Sequence, residues 1–162
     1  MIYISKKGKE KLEKKLELID KEIIDTYKKM GESTKIDNDL RENPEYLDLQ
    51  TKVSYKLPFE KKEIKEILND SVIIENQDFY KNFDSQTVII GSKIELLYND
   101  NVEIYEIVGY GDDDPFNNII SYNCDFSKNL IGKKTNEEFF YKNNKIKVLK
   151  VELIKWCRNT SF

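Results

Sequence analysis

Histidine is absent from the chain, and cysteine occurs only at Cys124 and Cys157. The two thiols make no metal-ligand spacing, so a zinc site, a disulfide framework and a histidine-based catalytic triad are excluded together. No apolar run approaches the ~18 residues that a membrane-spanning helix needs. The opening residues MIYISKKGKE lack the apolar stretch of a signal peptide, so the expectation is a cytoplasmic protein with no membrane partner. A basic block is missing too. The 27 Lys and Arg and 30 Asp and Glu give a net charge of −3, with the two signs mixed along both halves. Sequence-independent nucleic-acid binding needs a basic face that neutralises several phosphates, so direct DNA binding is not expected.

What remains is a chain of 162 residues, 35% charged and 39% hydrophobic, enough for one large domain or two small ones. Ser5 can cap a helix starting near Lys6. Leu12, Leu16, Ile19, Ile23, Tyr27 and Met30 follow at steps of three or four, the narrow stripe of a coiled-coil seam. A second helix is expected from Pro44, because proline suits the first helical position and Asn43 is a good cap. Tyr46, Leu49, Val53, Leu57, Ile64, Ile67 and Leu68 supply its stripe, with Phe59 or Lys61 bridging the heptad between Leu57 and Ile64. Pro58 should kink this helix. Neither helix can bury its stripe alone, and a short connection makes them an antiparallel hairpin over residues 1–75.

Residues 76–86 have no period and read as a linker. From 87 to 162 the character is β: Thr87 to Ile90, Lys93 to Tyr98, Val102 to Val108, Ile119 to Tyr122, Glu138 to Tyr141 and Ile146 to Leu153. Asp125 to Ile131 reads as a short helix closed by Gly132. A phase change in the alternation between Val148 and Leu149 predicts a bulge. The fold class is α+β: an antiparallel coiled-coil hairpin, then a small, mostly antiparallel β domain with one short helix.

Between the helices stands Asp39-Leu40-Arg41-Glu42-Asn43-Pro44-Glu45-Tyr46, which places two acids three residues apart at the hairpin turn. Alone, that spacing fits a capping box as well as a metal-binding pair. Pro44 moves the helix start to Asn43 and leaves the acids in the loop. Lys35 and Arg41 are either solvated charges or contacts to a bound polyanion, and Tyr46 fits the seam. Asp112-Asp113-Asp114 reads as an acidic turn before Pro115 rather than a metal site.

A hairpin first, a small β domain second and D-L-x-E-N-x-E-Y at the turn resemble the Gre transcript cleavage factors of bacterial RNA polymerase. Further matching segments are Leu68-Asn69-Asp70-Ser71-Val72-Ile73, Val88-Ile89-Ile90-Gly91-Ser92, Tyr105-Glu106-Ile107-Val108-Gly109, Ile120-Ser121-Tyr122-Asn123 and Asn129-Leu130-Ile131-Gly132-Lys133-Lys134. The resemblance implies an FKBP-like topology for the β domain, which docks on the rim of the polymerase secondary channel while the coiled coil reaches the catalytic magnesium. It implies that Asp39 and Glu42 help hold a second Mg²⁺ and a water, shared with the polymerase active site and not bound by the isolated chain. It implies RNA contact by Lys35 and Arg41 at the 3′ end of backtracked RNA, and docking through Ser121, Asn123, Cys124 and Asp125. The factor is then a stimulator of the polymerase's own cleavage and not itself an enzyme.

The chain departs from the family pattern at named places. Asn38 stands for Gly, Pro44 for a small residue, Gln50 for a base and Cys124-Asp125 for Ser-Pro, and the second helix is about one residue longer around Pro58. Those departures keep open a non-catalytic regulator that occupies the same channel and inhibits synthesis. A free-standing FKBP-like chaperone module leaves the acid-tipped hairpin unexplained.

Overall fold

The computed structural model describes residues 1–36 and 43–155. The chain divides into two compact units: Glu10–Asp70, and Met1–Lys9 together with everything described from Ser71 onward. Among the described residues, no helix is long and apolar enough to cross a membrane. The fold is α+β.

Helix α1 (Lys6–Ile36) is rich in Lys, Glu and Leu, all strong helix formers. Ser5 caps it as expected, its Oγ accepting the Gly8 N–H at 2.8 Å. The seam differs from expectation at one position: Thr26 is 3% exposed, whereas Tyr27 is 58% exposed. A period of 3.5 residues explains this, because steps alternating four and three from Leu12 pass through 16, 19, 23, 26, 30 and 33. Buried Thr26 satisfies its hydroxyl by donating to the Glu22 carbonyl at 2.6 Å.

The return strand of the hairpin comes in three pieces. Helix α2 (Pro44–Thr51) runs into a π-helical turn at Lys52–Lys56, and α3 (Leu57–Asp70) follows. The Leu57 N–H donates to the Lys52 carbonyl, the five-residue step of a π-turn. From Leu49 to Ile64 the sequence takes one residue more than two heptads. In a plain α-helix that extra residue would rotate everything after it by about 100°. The π-turn absorbs it just before Pro58, so Val53, Leu57 and Ile64 all stay buried. Phe59, 63% exposed, does not bridge the heptad. Lys61 instead reaches across the seam to Asp20, flanked by the ion pairs Lys15–Glu60 and Lys52–Glu22, both at 2.6 Å. Each is partly exposed and contributes no more than about 1 kcal/mol. Ile19, Leu57 and Ile64 form the buried centre, with Leu12, Leu16, Ile23 and Leu68 packed on it.

In the other unit, β1 (Ile2–Ile4) pairs in parallel with β2 (Ser71–Ile73). That pairing is why residues 1–9 and 71–75, assigned from sequence to the hairpin, group instead with the sheet. The expected linker 76–86 is also structured: a 3₁₀ turn at Ile74–Asn76 and helix α4 (Asp78–Lys81) lie here. Its aromatics are anchors, with Phe83 packed on the main core and the Tyr80 ring beneath Gly91.

The main sheet has the order β5-β4-β3-β7-β6, built from β3 (Ser92–Tyr98), β4 (Asn101–Val108), β5 (Ile119–Ser121), β6 (Glu138–Tyr141) and β7 (Asn144–Leu153). Neighbours are antiparallel except β4 and β5. Asn99-Asp100 and Lys142-Asn143 join the two hairpins with positive φ at both residues, which matches the twist of the strands. The bulge falls at Leu149, which is skipped as Glu95 pairs with Lys150 and Leu96 with Val148. Helix α5 (Asp125–Leu130) lays Leu130 into the core with Val88, Ile94, Leu96, Ile107, Ile146, Val148 and Val151. Thr87 to Ile90, expected as a strand, makes only an isolated bridge from Thr87 to Lys134. Its backbone pairs with the loop after α5, through Val88 N–H to the Lys133 carbonyl and Gly132 N–H to the Val88 carbonyl, both at 2.8 Å. The β-branched run reflects burial, and Gly91 at φ +94° ends it.

Gly109 is where β1 approaches the end of β4. A Cβ there would stand 2.8 Å from Ile74 Cδ1 and 2.9 Å from the Tyr3 carbonyl oxygen. Gly109→Ala is expected to destabilise the protein by about 1–3 kcal/mol, the range for overpacking. A thermal midpoint equal to wild type would show that the close approach is not required.

Candidate functional site

Of the tip residues singled out from sequence, Asp39, Arg41 and Glu42 lie outside the described residues. Lys35 lies in the last turn of α1, with its side chain outside them too. The flanks are described. Asn43 is 7% exposed and works in two directions. Its Oδ1 accepts the Tyr46 N–H at 3.1 Å, capping α2, and its Nδ2 donates to the Ser33 carbonyl at 3.4 Å near the end of α1. One buried amide therefore ties together the two helix ends on either side of residues 37–42. The capping role for α2 belongs to Asn43, so that helix needs no carboxylate cap. Ser33 is itself buried, its hydroxyl donating to the Met30 carbonyl at 2.9 Å. Tyr46 is half-buried, in line with the seam.

The second group of candidates sits where β5 meets α5. Tyr122 N–H donates to the Val108 carbonyl at 2.9 Å, and Cys124 N–H to the Ser121 carbonyl at 3.1 Å. Ser121 Oγ accepts the Asn123 N–H at 3.3 Å. Cys124 caps α5, its Sγ taking the Ser127 N–H at 3.4 Å and lying 3.1 Å from the Ser127 hydroxyl. Sequence reasoning placed Cys124 in the docking segment and missed this capping role. The available signal was its place directly before Asp125, an acid suited to a first helical turn. Asn123 and Asp125 point exposed side chains from this fixed backbone.

The remaining candidates have structural work. Asp112 accepts a hydrogen bond from the Ser5 hydroxyl, and Asp114 accepts one from Asn117 Nδ2 at 2.7 Å. Among the described residues, no group of three or more acids and thiols is placed to hold a metal ion. In the Leu130–Lys134 segment, Lys133 Nζ lies 2.7 Å from Glu137 Oε1, and the Lys134 N–H donates to Oε2 at 2.9 Å. Those two donors hold the Glu137 carboxyl below its ordinary pKa.

A family model described as the C-terminal part of transcription elongation factor GreA/GreB matches residues 84–155. Over 139 residues the chain is 32% identical to transcription elongation factor GreA of Nautilia profundicola, covering 83% of this chain and 82% of that one. The chain belongs to the GreA family of transcription elongation factors. GreA of Buchnera aphidicola is 31% identical over 160 residues, covering 95% of this chain and 98% of its own. Among solved structures, GreA factor homolog 1 of Thermus thermophilus aligns over 93% of this chain and 98% of that one, at 16% identity and a TM-score of 0.40. In this GreA-family chain the Leu130–Lys134 segment serves the core and its closing loop, and the exposed candidates are few.

Asn43→Ala removes the cap and leaves the Ser33 carbonyl without its amide donor. The loss of a cap is worth about 1 kcal/mol, so amide exchange in α2 should quicken by roughly fivefold. Asn43→Asp, which keeps the acceptor, should lose less. Equal exchange in all three proteins would remove Asn43 from this role.

Proposed function

We propose that the chain binds RNA polymerase and stimulates the polymerase's own cleavage of backtracked RNA, with Asp39 and Glu42 delivered into the polymerase active site by the hairpin. The observation that carries this reading is the framing of DLRENPEY. Two antiparallel helices with a continuous seam end in a buried Asn43 clamp, and the acids lie in the segment between the clamped ends. Membership of the GreA family supports it.

Each group has a stated part. The carboxylates of Asp39 and Glu42 are hard oxygen donors of the kind Mg²⁺ prefers, and the ion ordinarily takes only one or two of them while keeping several waters. Two acids therefore suit a shared ion and do not form a site by themselves. When bound, the ion supplies an activated water and stabilises charge building on the phosphodiester. Lys35 and Arg41 hold the RNA 3′ end by charge. Ser121, Asn123, Cys124 and Asp125 form the docking segment on the polymerase rim; Asn123 and Asp125 supply the exposed side chains, while Ser121 and Cys124 fix the backbone beneath them. The cleavage chemistry belongs to the polymerase, so the chain is a factor and not an enzyme.

The test uses stalled, backtracked complexes of the cognate polymerase. Wild-type protein should release short 3′ RNA fragments. Asp39→Ala with Glu42→Ala should lower that rate by at least about a hundredfold, the scale of losing a preorganised charge-stabilising group, with polymerase binding retained. Undiminished cleavage by the double variant would overturn the assignment. Slowed synthesis without fragments, by wild type, would replace it with the inhibitory channel-occupying reading.

A further inference from the structure

β5 pairs with β4 only at Glu106, Ile107 and Val108. Among the described residues, no strand flanks residues 101–105 of β4 on that side. Such an edge presents unpaired backbone groups. Along a strand these groups point alternately to its two sides. Beside β3, the Ile107 carbonyl accepts the Gly91 N–H at 2.8 Å. On the β5 side, the Val108 carbonyl accepts the Tyr122 N–H at 2.9 Å and the Glu106 N–H donates to the Asn118 carbonyl at 3.0 Å. The pairing of β4 with β3 runs without a bulge from Glu106 back to Asn101. The N–H and C=O of Ile104 and Val102 therefore point outward from the sheet edge. Their side chains are uncovered as well, 45% and 61% exposed.

The surrounding stretch of chain carries one sign of charge. From 94 to 127 it has no Lys or Arg and eight acids. Glu103 stands between Val102 and Ile104 on the other face of the strand, its Oε2 accepting the Tyr105 hydroxyl at 2.6 Å. At the opposite edge of the sheet, on β6, Glu138 is answered by Lys145 at 2.7 Å. Glu103 has no such basic partner among the described residues.

A second copy is a poor occupant of this edge. An antiparallel copy using the outward groups of both residues would pair Val102 of one chain with Ile104 of the other. That register brings the two Glu103 carboxylates face to face, a destabilising like-charge pair. A register centred on Ile104 needs the outward groups of Glu106, which β5 already uses.

We propose that residues 101–105 accept an extended segment of another protein as an added strand, with β-branched residues beside Val102 and Ile104 and a Lys or Arg opposite Glu103. Main-chain hydrogen bonds supply the attachment, and the alternating side chains supply the selectivity. The surface lies wholly within the sheet unit and is independent of the cleavage function.

Amide exchange in the full-length chain tests this, with the acetylated, amidated peptide Lys-Thr-Val-Lys-Val-Thr-Lys as the probe. In the free protein the Val102 and Ile104 amides should exchange quickly, and those of Glu103 and Tyr105, which face β3, slowly. Equal protection of all four would mean that the edge is already occupied, by this chain or a second copy, and would overturn the proposal. About 1 mM peptide should slow Val102 and Ile104 at least threefold, the mass-action ratio for a Kd of roughly 0.5 mM. The same peptide methylated on both Val nitrogens keeps its charge and should have no effect. Absence of slowing, or equal slowing by the methylated peptide, removes the edge as the site. Glu103→Gln keeps an acceptor for the Tyr105 hydroxyl and should weaken binding about two- to fivefold, the scale of one cross-strand charge pair. Unchanged binding by that variant refutes the basic selectivity.

Discussion

Three residue pairs, Ile2 with Ser71, Tyr3 with Val72 and Ile4 with Ile73, join the chain before the helical hairpin to the chain after it. A two-stranded ladder of this length has little stability of its own. It persists because its surroundings are closed: Ile4 and Ile74 are fully buried, and Gly109 lets the end of β4 come against the Tyr3 backbone. Both ends of a long insertion are thereby fixed in one place. The hairpin can then be made almost entirely of charged helix, since its base does not rely on the seam alone.

The seam itself changes character along its length. Near the base it is aliphatic, with Leu12, Leu16, Ile19 and Ile23 facing Leu57, Ile64 and Leu68. Toward the far end buried polar groups enter at Thr26, Ser33 and Asn43, each with a hydrogen bond that the pairing supplies or tolerates. Aliphatic contacts give most of the free energy but accept sliding, whereas a buried amide with one donor and one acceptor used accepts a single alignment. Stability is thus concentrated at the base and register at the tip.

Much of this was legible in the residues. The Ser5 and Asn43 caps, the break near Pro58, the two strand hairpins and the bulge near Leu149 all follow from local chemistry and periodicity. Three features were not. Tyr27 looked like a seam residue because steps of three or four admit it, and only the sustained 3.5 period selects Thr26. Residues 76–86 lacked a period because α4 is four residues long and held by aromatics that bury sideways, which no periodicity test detects. Thr87 to Ile90 carried strand composition for the sake of burial. At the candidate site, the sequence supplied the acids and the docking segment. It could not show that Asp112, over a hundred residues from Ser5, meets it, because nothing in local spacing encodes a contact between distant loops.

The π-turn at Lys52–Lys56 lets the seam keep phase on both sides of an additional residue. Length and facing direction are thereby separated in this helix, at one place. A lineage could gain or lose a residue there without altering a single position in the interface, so in comparing relatives the gap belongs in this turn rather than at the hairpin tip. Chain length can change at this turn while the buried residues on both sides of it keep their places in the seam.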